Sequence, residues 1–203
     1  MLPVEFEEAT ILRGPFVASF SEEEFFRFCQ ENDAMRVERT ADHEIIIMPP
    51  AGFDSGYSSG QAYGSLYMWQ YQYNLGLIVD SSTGYTLPDG AMLSPDASWV
   101  SPERLATVTD SELKVFPRLC PDFVIEVKSP SDRIKTLQAK MEQWLKNGVR
   151  LGFLLDTETT TAYVYRPGQP IEEIQGFDGE LSGESVLPGY RLDLRRLRRQ
   201  RQG

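Results

Sequence analysis

At 203 residues, with 41% hydrophobic and 25% charged side chains, the chain has the size and composition of one globular domain, and it fits neither a disordered nor a fibrous protein. The formal net charge is −10, yet six of the 20 Lys and Arg fall in the last 13 residues, so residues 1–190 hold 14 basic against 29 acidic side chains; such a body repels polyphosphate at long range and does not coat nucleic acid indiscriminately. No apolar run approaches the roughly 18 to 20 residues of a membrane span, acids stand where a secretory signal carries positive charge, and Cys29 and Cys120 belong to no CxxC or Cys/His cluster, so the expectation is a cytoplasmic protein with reduced thiols and no structural zinc.

Ser21 followed by three acids and then Phe25, Phe26 and Phe28 predicts a capped helix over about 21–32. Met35–Thr40 and Glu44–Met48 read as a hairpin about the turn Ala41-Asp42-His43, stopped by Pro49-Pro50. Gly52–Gly60 is rich in Gly and Ser and reads as a loop, after which Ala62, Leu66, Trp69 and Tyr73 predict a helix over Gln61–Asn74. Three antiparallel segments are expected near 77–80, 84–87 and 91–100, broken at Pro88-Asp89-Gly90, and Pro102–Leu105 suits a helical turn. Phe123–Val127 reads as a buried central strand. Ile134, Leu137, Met141, Trp144 and Leu145 form the apolar face of a helix over about Ser131–Asn147, closed by Gly148, and Val149–Leu155 and Thr161–Tyr165 are two further strands. No repeat or low-complexity linker divides the chain, so a single domain spanning 1–203 is expected. The element order suits an α/β (α+β) protein with a curved mixed sheet flanked by helices.

The informative stretch is Pro121-Asp-Phe-Val-Ile-Glu-Val-Lys-Ser129. Side chains alternate along a strand, so Glu126 and Lys128 share one face while Ile125 and Val127 enter the opposite layer. Burying those charges near a sheet centre costs several kcal/mol per ion unless they are paired or coordinate something. Asp96, in Ser94-Pro95-Asp96-Ala97, begins another predicted strand and brings a second carboxylate to that face. Two carboxylates and a lysine suit a hard divalent cation and phosphodiester hydrolysis: Asp96, Glu126 and the Val127 carbonyl would hold magnesium or manganese, and Lys128 would orient water or stabilise phosphate charge. The bland alternative is a salt bridge at a sheet edge.

Ser94-Pro95-Asp96 with Glu126-Val127-Lys128 resembles the PD-(D/E)XK nuclease motif. Together with the stretches 36–50, 81–104 and 121–156, which cover most of the chain, it resembles the Uma-two family of restriction-endonuclease-like proteins. That resemblance implies a restriction-endonuclease-like core, metal ligands at Asp96 and Glu126, a catalytic Lys128, and metal-dependent cleavage of DNA, with a catalytically inactive binding or assembly module as the alternative. Glu38 matches the family's N-terminal acid, although a hairpin acid paired with Arg36 or Arg39 is an equal reading. A homodimer is expected, since a compact nuclease core needs two copies to address both strands.

Other residues carry less. Lys140 and Gln138, on the helix after the site strand, are candidates to contact substrate phosphate, while Lys135 and Lys146 suit the solvent face. Asp122 lies about 13 Å along the strand from Glu126, too far to share an ion at roughly 3.3 Å per residue. His43 sits in a turn, where a solvated residue is the expectation. Tyr63, Tyr67, Trp69, Tyr71 and Tyr73 divide between core and a surface suited to dimerisation. The Arg-rich tail 191–203 is either a phosphate-binding arm, a frayed terminus or a cap pairing with acids elsewhere.

Overall fold

The computed structural model describes residues 9–199. It opens with a short strand, β1 (Thr10–Leu12), and a single turn, α1 (Pro15–Ala18). Helix α2 (Glu22–Glu31) starts with the capping box expected of Ser21: its Oγ accepts from the Glu24 N–H, and the Glu24 carboxylate accepts from the Ser21 N–H. Strands β2 (Arg36–Arg39) and β3 (Ile45–Met48) form the predicted hairpin.

Helix α3 (Phe53–Tyr73) begins eight residues earlier than its apolar spacing suggested, running through the segment read as a loop. Its glycines cost helicity, but tertiary bonds compensate. Buried Ser58 donates its one hydroxyl hydrogen within reach of two carbonyls, Asp54 at 2.8 Å and Leu197 at 2.7 Å, and so ties the start of the helix to the end of the chain. At the other end Asn74 is left-handed, and Gly76 (φ +71°) turns the chain so tightly that a Cβ there would lie 2.2 Å from the Val100 carbonyl.

Strands β4 (Leu77–Asp80), β5 (Tyr85–Thr86), β6 (Met92–Leu93) and β7 (Ala97–Val100) follow. The predicted strand over 91–100 is thus two strands, interrupted at Ser94-Pro95-Asp96. After α4 (Pro102–Leu105) come β8 (Phe123–Lys128), α5 (Ile134–Asn147), β9 (Leu151–Asp156), β10 (Thr161–Tyr165), β11 (Glu172–Gln175), β12 (Glu180–Ser182) and β13 (Arg191–Asp193). Gly148 closes α5 in the left-handed conformation, as the sequence predicts.

The mixed sheet expected from the element order is present, and a second sheet stands beside it. A five-stranded antiparallel sheet runs β1-β3-β2-β6-β5, a six-stranded mixed sheet runs β11-β10-β9-β8-β7-β4, and β12 pairs with β13. In the mixed sheet β8 and β9 are parallel and α5 makes the crossover between them, whereas the other pairs are antiparallel. Strand β8 is central, as expected. Phe123, Ile125 and Val127 pack beneath Ala62, Leu66 and Trp69 of α3, and Val124 faces Met141 and Trp144 of α5 on the opposite side.

The chain leaves the first sheet at β6 and enters the second at β7, so Ser94–Asp96 is the crossing between them. The tail is no free arm over its described length: Leu194 and Leu197 are buried, Arg191 pairs with Glu180 at 2.9 Å, and Arg199 pairs with Asp54 at 3.0 Å. Residues 200–203 lie outside the described residues.

Candidate functional site

The crossing between the sheets collects the charges. Continuing the register of β7 and β8 beyond Ala97↔Ile125 sets Asp96 opposite Glu126, so the two carboxylates emerge on the face covered by α5. From the other sheet, β2 contributes Glu38. One of its oxygens accepts from the Ser94 N–H at 2.9 Å, which latches the two sheets together two residues before Asp96. Glu38 is 3% exposed, and its carboxylate is engaged by the Ser94 N–H and the Lys140 ammonium.

Lys140 completes the cluster. Its ammonium lies 2.8 Å from Glu38 Oε1 and 2.8 Å from Glu126 Oε1, and it donates to the Ser94 carbonyl at 2.9 Å. Trp144, one turn further along α5 and fully buried, donates its indole N–H to the same Glu126 oxygen at 3.0 Å. Asp96 accepts from the Val127 N–H at 2.8 Å and has the Arg36 guanidinium at 3.6 Å. Val127 therefore meets the site through its amide, while its side chain enters the core beneath α3.

Lys128 shares the face of Glu126 by strand alternation but turns its ammonium elsewhere. It pairs with Glu158, approaches Asp156 to 4.0 Å, and points toward the Ser129 carbonyl at 3.4 Å. Gln138 is half-buried, about 200° round α5 from Lys140, and so does not face the carboxylates with it. Lys135 and Lys146 are exposed, as expected. Asp122 is a structural charge: it is buried, accepts from the Ser101 N–H at 2.8 Å, and pairs with Arg104 at 3.0 Å. His43 occupies the β2–β3 turn at φ 62° but is half-buried rather than solvated.

Sequence reasoning ranked Lys140 below Lys128, although a signal was present. Leu137, Lys140, Met141 and Trp144 follow the i, i+3, i+4, i+7 spacing of a buried face, and a lysine in such a stripe calls for a partner.

Burial pushes the Glu126 carboxyl up to about 7; Lys140 works against that rise, and the charges on Asp96 and Glu38 add to it. Asp96 is also raised by burial, against the opposing pull of Arg36 and the Val127 N–H. Burial disfavours the Lys140 ammonium, but Glu126 and Glu38 more than restore it, so it stays charged. The sign for stability follows from proton linkage. The folded chain holds the Glu126 proton more tightly than the unfolded chain, so this group's contribution to stability weakens as pH rises from about 4.5 to about 7. Metal affinity runs the other way, because a ligating carboxylate must lose its proton.

Among the described residues, no group of three or more His, Cys, Asp or Glu stands arranged to hold a metal ion, and internal cations and N–H donors contact the carboxylates of the cluster. The donor chemistry nevertheless suits a hard divalent cation: Glu126 and Glu38 are buried carboxylates, and Asp96, with its side chain 10% exposed, stands across the strand pair from Glu126.

A mixed sheet crossed by α5, with acids at the sheet crossing, places the chain among nuclease-fold proteins of restriction-endonuclease-like type. A family model described as Uma2, "Putative restriction endonuclease", matches residues 22–195, and the chain belongs to that family. A solved structure described as "a putative nuclease belonging to DUF820 from Anabaena variabilis ATCC 29413" is similar in fold, with a TM-score of 0.67 and 20% sequence identity over 79% of this chain and 88% of that one. No curated protein matches. Among the described residues no helix is long and apolar enough to cross a membrane.

Proposed function

We propose that the chain is a cytoplasmic, magnesium- or manganese-dependent endonuclease that hydrolyses DNA phosphodiester bonds. The observation that carries this reading is the set of two buried carboxylates, Glu38 and Glu126, and the partly buried Asp96, gathered at the junction of two sheets in a member of a restriction endonuclease family. Asp96 and Glu126 would hold the ion, with the Val127 carbonyl as a further oxygen donor, and Glu38 would assist. A bound divalent cation supplies charge neutralisation and Lewis-acid polarisation of a phosphate. Lys128 ends β8 on the face of Glu126, and its long stem lets the ammonium leave the half-exposed Glu158 to meet a substrate phosphate or orient water. Gln138, which does not face the carboxylates, would contact the substrate backbone beside them.

A homodimer is part of the proposal. The outward face of α3 shows Phe53, Tyr67, Met68 and Tyr71 to solvent, and sedimentation velocity tests whether two copies cover it.

The competing reading, a catalytically silent binding or assembly module, draws on the same internal pairing: the carboxylates are already neutralised by Lys140 and Arg36, as in a purely structural network. Cleavage of supercoiled, linear and single-stranded DNA in magnesium and in manganese separates the two. Wild type is expected to cleave, and identically purified Lys128→Ala to cleave at least about tenfold more slowly. Equal activity in both proteins would mean contamination. Inactivity of wild type, with a melting temperature indifferent to either metal, would favour the binding module.

A further inference from the structure

We propose that Lys140 is the resident cation of the metal-free site, and that a divalent ion enters by displacing its ammonium from Glu126 and Glu38. The inference rests on the metal-dependent reading above and adds to it a competition built into α5. An ammonium has three donors, and Lys140 has three acceptors within 2.9 Å, namely Glu38 Oε1, Glu126 Oε1 and the Ser94 carbonyl. Its bonding capacity is spent on this one place.

The same carboxylate oxygens are engaged again from inside the protein. Glu126 Oε1 also accepts from Trp144, and Glu38 Oε1 also accepts from the Ser94 N–H. These contacts all fall on Oε1 of each acid, so an ion that approaches through either oxygen draws on a carboxylate charge that Lys140 already neutralises. Two positive charges on one buried carboxylate repel, so the ion and the ammonium compete for the same charge. By linkage, whatever holds Lys140 in place weakens the ion by the same factor.

The geometry also supplies a way out. Trp144 is fully buried and fixed, but the Lys140 side chain keeps 12% of its surface exposed at the end of a flexible four-carbon stem, so the ammonium can withdraw toward solvent without disturbing the helix. This explains how a site of buried acids remains stable without metal, and it separates the two lysines: Lys140 balances the site's charge in the resting state, whereas Lys128 is held outside it by Asp156 and Glu158.

The test is manganese binding by calorimetry to the full chain, in mildly alkaline buffer where proton competition is small, comparing wild type with Lys140→Met. The Met variant keeps much of the stem's length and removes the charge. Its manganese affinity is expected to be about tenfold or more tighter than that of wild type. Its metal-free melting temperature should fall, and the rise produced by saturating manganese should exceed that of wild type. Lys140→Arg, which keeps a cation in place, should lie closer to wild type than to the Met variant. Should the Met variant fold poorly, Lys140→Gln gives the same comparison with a polar side chain. Wild type that binds manganese while the neutral variants bind no more tightly, or more weakly, would overturn the competition and leave the metal site standing. Wild type and Lys140→Met that both fail to bind, while remaining folded by circular dichroism, would overturn the metal reading and the competition together.

Discussion

Glu126→Gln is expected to reduce metal-dependent DNA cleavage by about a hundredfold or more while leaving a folded protein, because the substitution removes a charge and little else. The Glu126 side chain is 4% exposed and holds two contacts through one oxygen, the Trp144 indole at 3.0 Å and the Lys140 ammonium at 2.8 Å. A glutamine carbonyl in that position accepts from both donors, and Lys140 keeps Glu38 at 2.8 Å, so no buried cation is left alone. What goes is the charged donor that a hard cation requires. Asp96→Asn is expected to act alike, since its carbonyl oxygen can still accept from the Val127 N–H. A control comes from the far side of Lys128: Glu158 is half-exposed, and Glu158→Gln should leave cleavage within about threefold of wild type, as for an exposed ion pair. Full metal-dependent cleavage by Glu126→Gln would remove the basis of the proposed function. Loss of cleavage accompanied by loss of cooperative unfolding would mean that the charge had served the fold.

How much of this was legible depended on whether a feature is local. Ser21 with Glu24, Pro102 at the start of α4, and Asn147-Gly148 at the end of α5 are local signals, and each forms the structure its residues dictate. The alternation of β8 likewise places Glu126 and Lys128 on the side of α5. The early start of α3 was illegible because its cause lies 139 residues away, where the Leu197 carbonyl receives the Ser58 hydroxyl. Short edge strands such as β1 and β11 have no marked apolar alternation. The passage of the chain between sheets at Ser94–Asp96 is set by the Glu38 latch on Ser94 N–H, a contact across 56 residues. For the site, strand alternation showed which face the acids take, but not that a lysine from the following helix, rather than Lys128, would sit among them. Side-chain reach of that kind depends on how closely α5 approaches β8.

Arg104→Ala is expected to destabilise the fold by about 3–5 kcal/mol, although Arg104 lies outside the carboxylate cluster. Its guanidinium pairs with Asp122 at 3.0 Å and donates to the carbonyls of Cys120, Pro121 and Gly148, the residues that lead into β8 and end α5. Removing it strands a carboxylate that is 3% exposed, with the Ser101 N–H as its remaining close donor and Arg150 at 3.5 Å as a distant partner. An unpaired buried charge costs more than the pair contributed, and the bared carbonyls add to that cost. For a chain of this length the melting temperature should fall by about 6–20 °C, at roughly 2–4 °C per kcal/mol. Arg150→Ala, whose side chain is half-exposed and whose contact is long, should change stability by less than about 1 kcal/mol. Urea titrations of both variants would decide the matter. A small loss for Arg104→Ala would mean that water takes the place of the guanidinium at Asp122. A large loss, with manganese affinity per folded molecule unchanged, would show that the clamp anchors both β8 and α5 without entering the chemistry at Glu126.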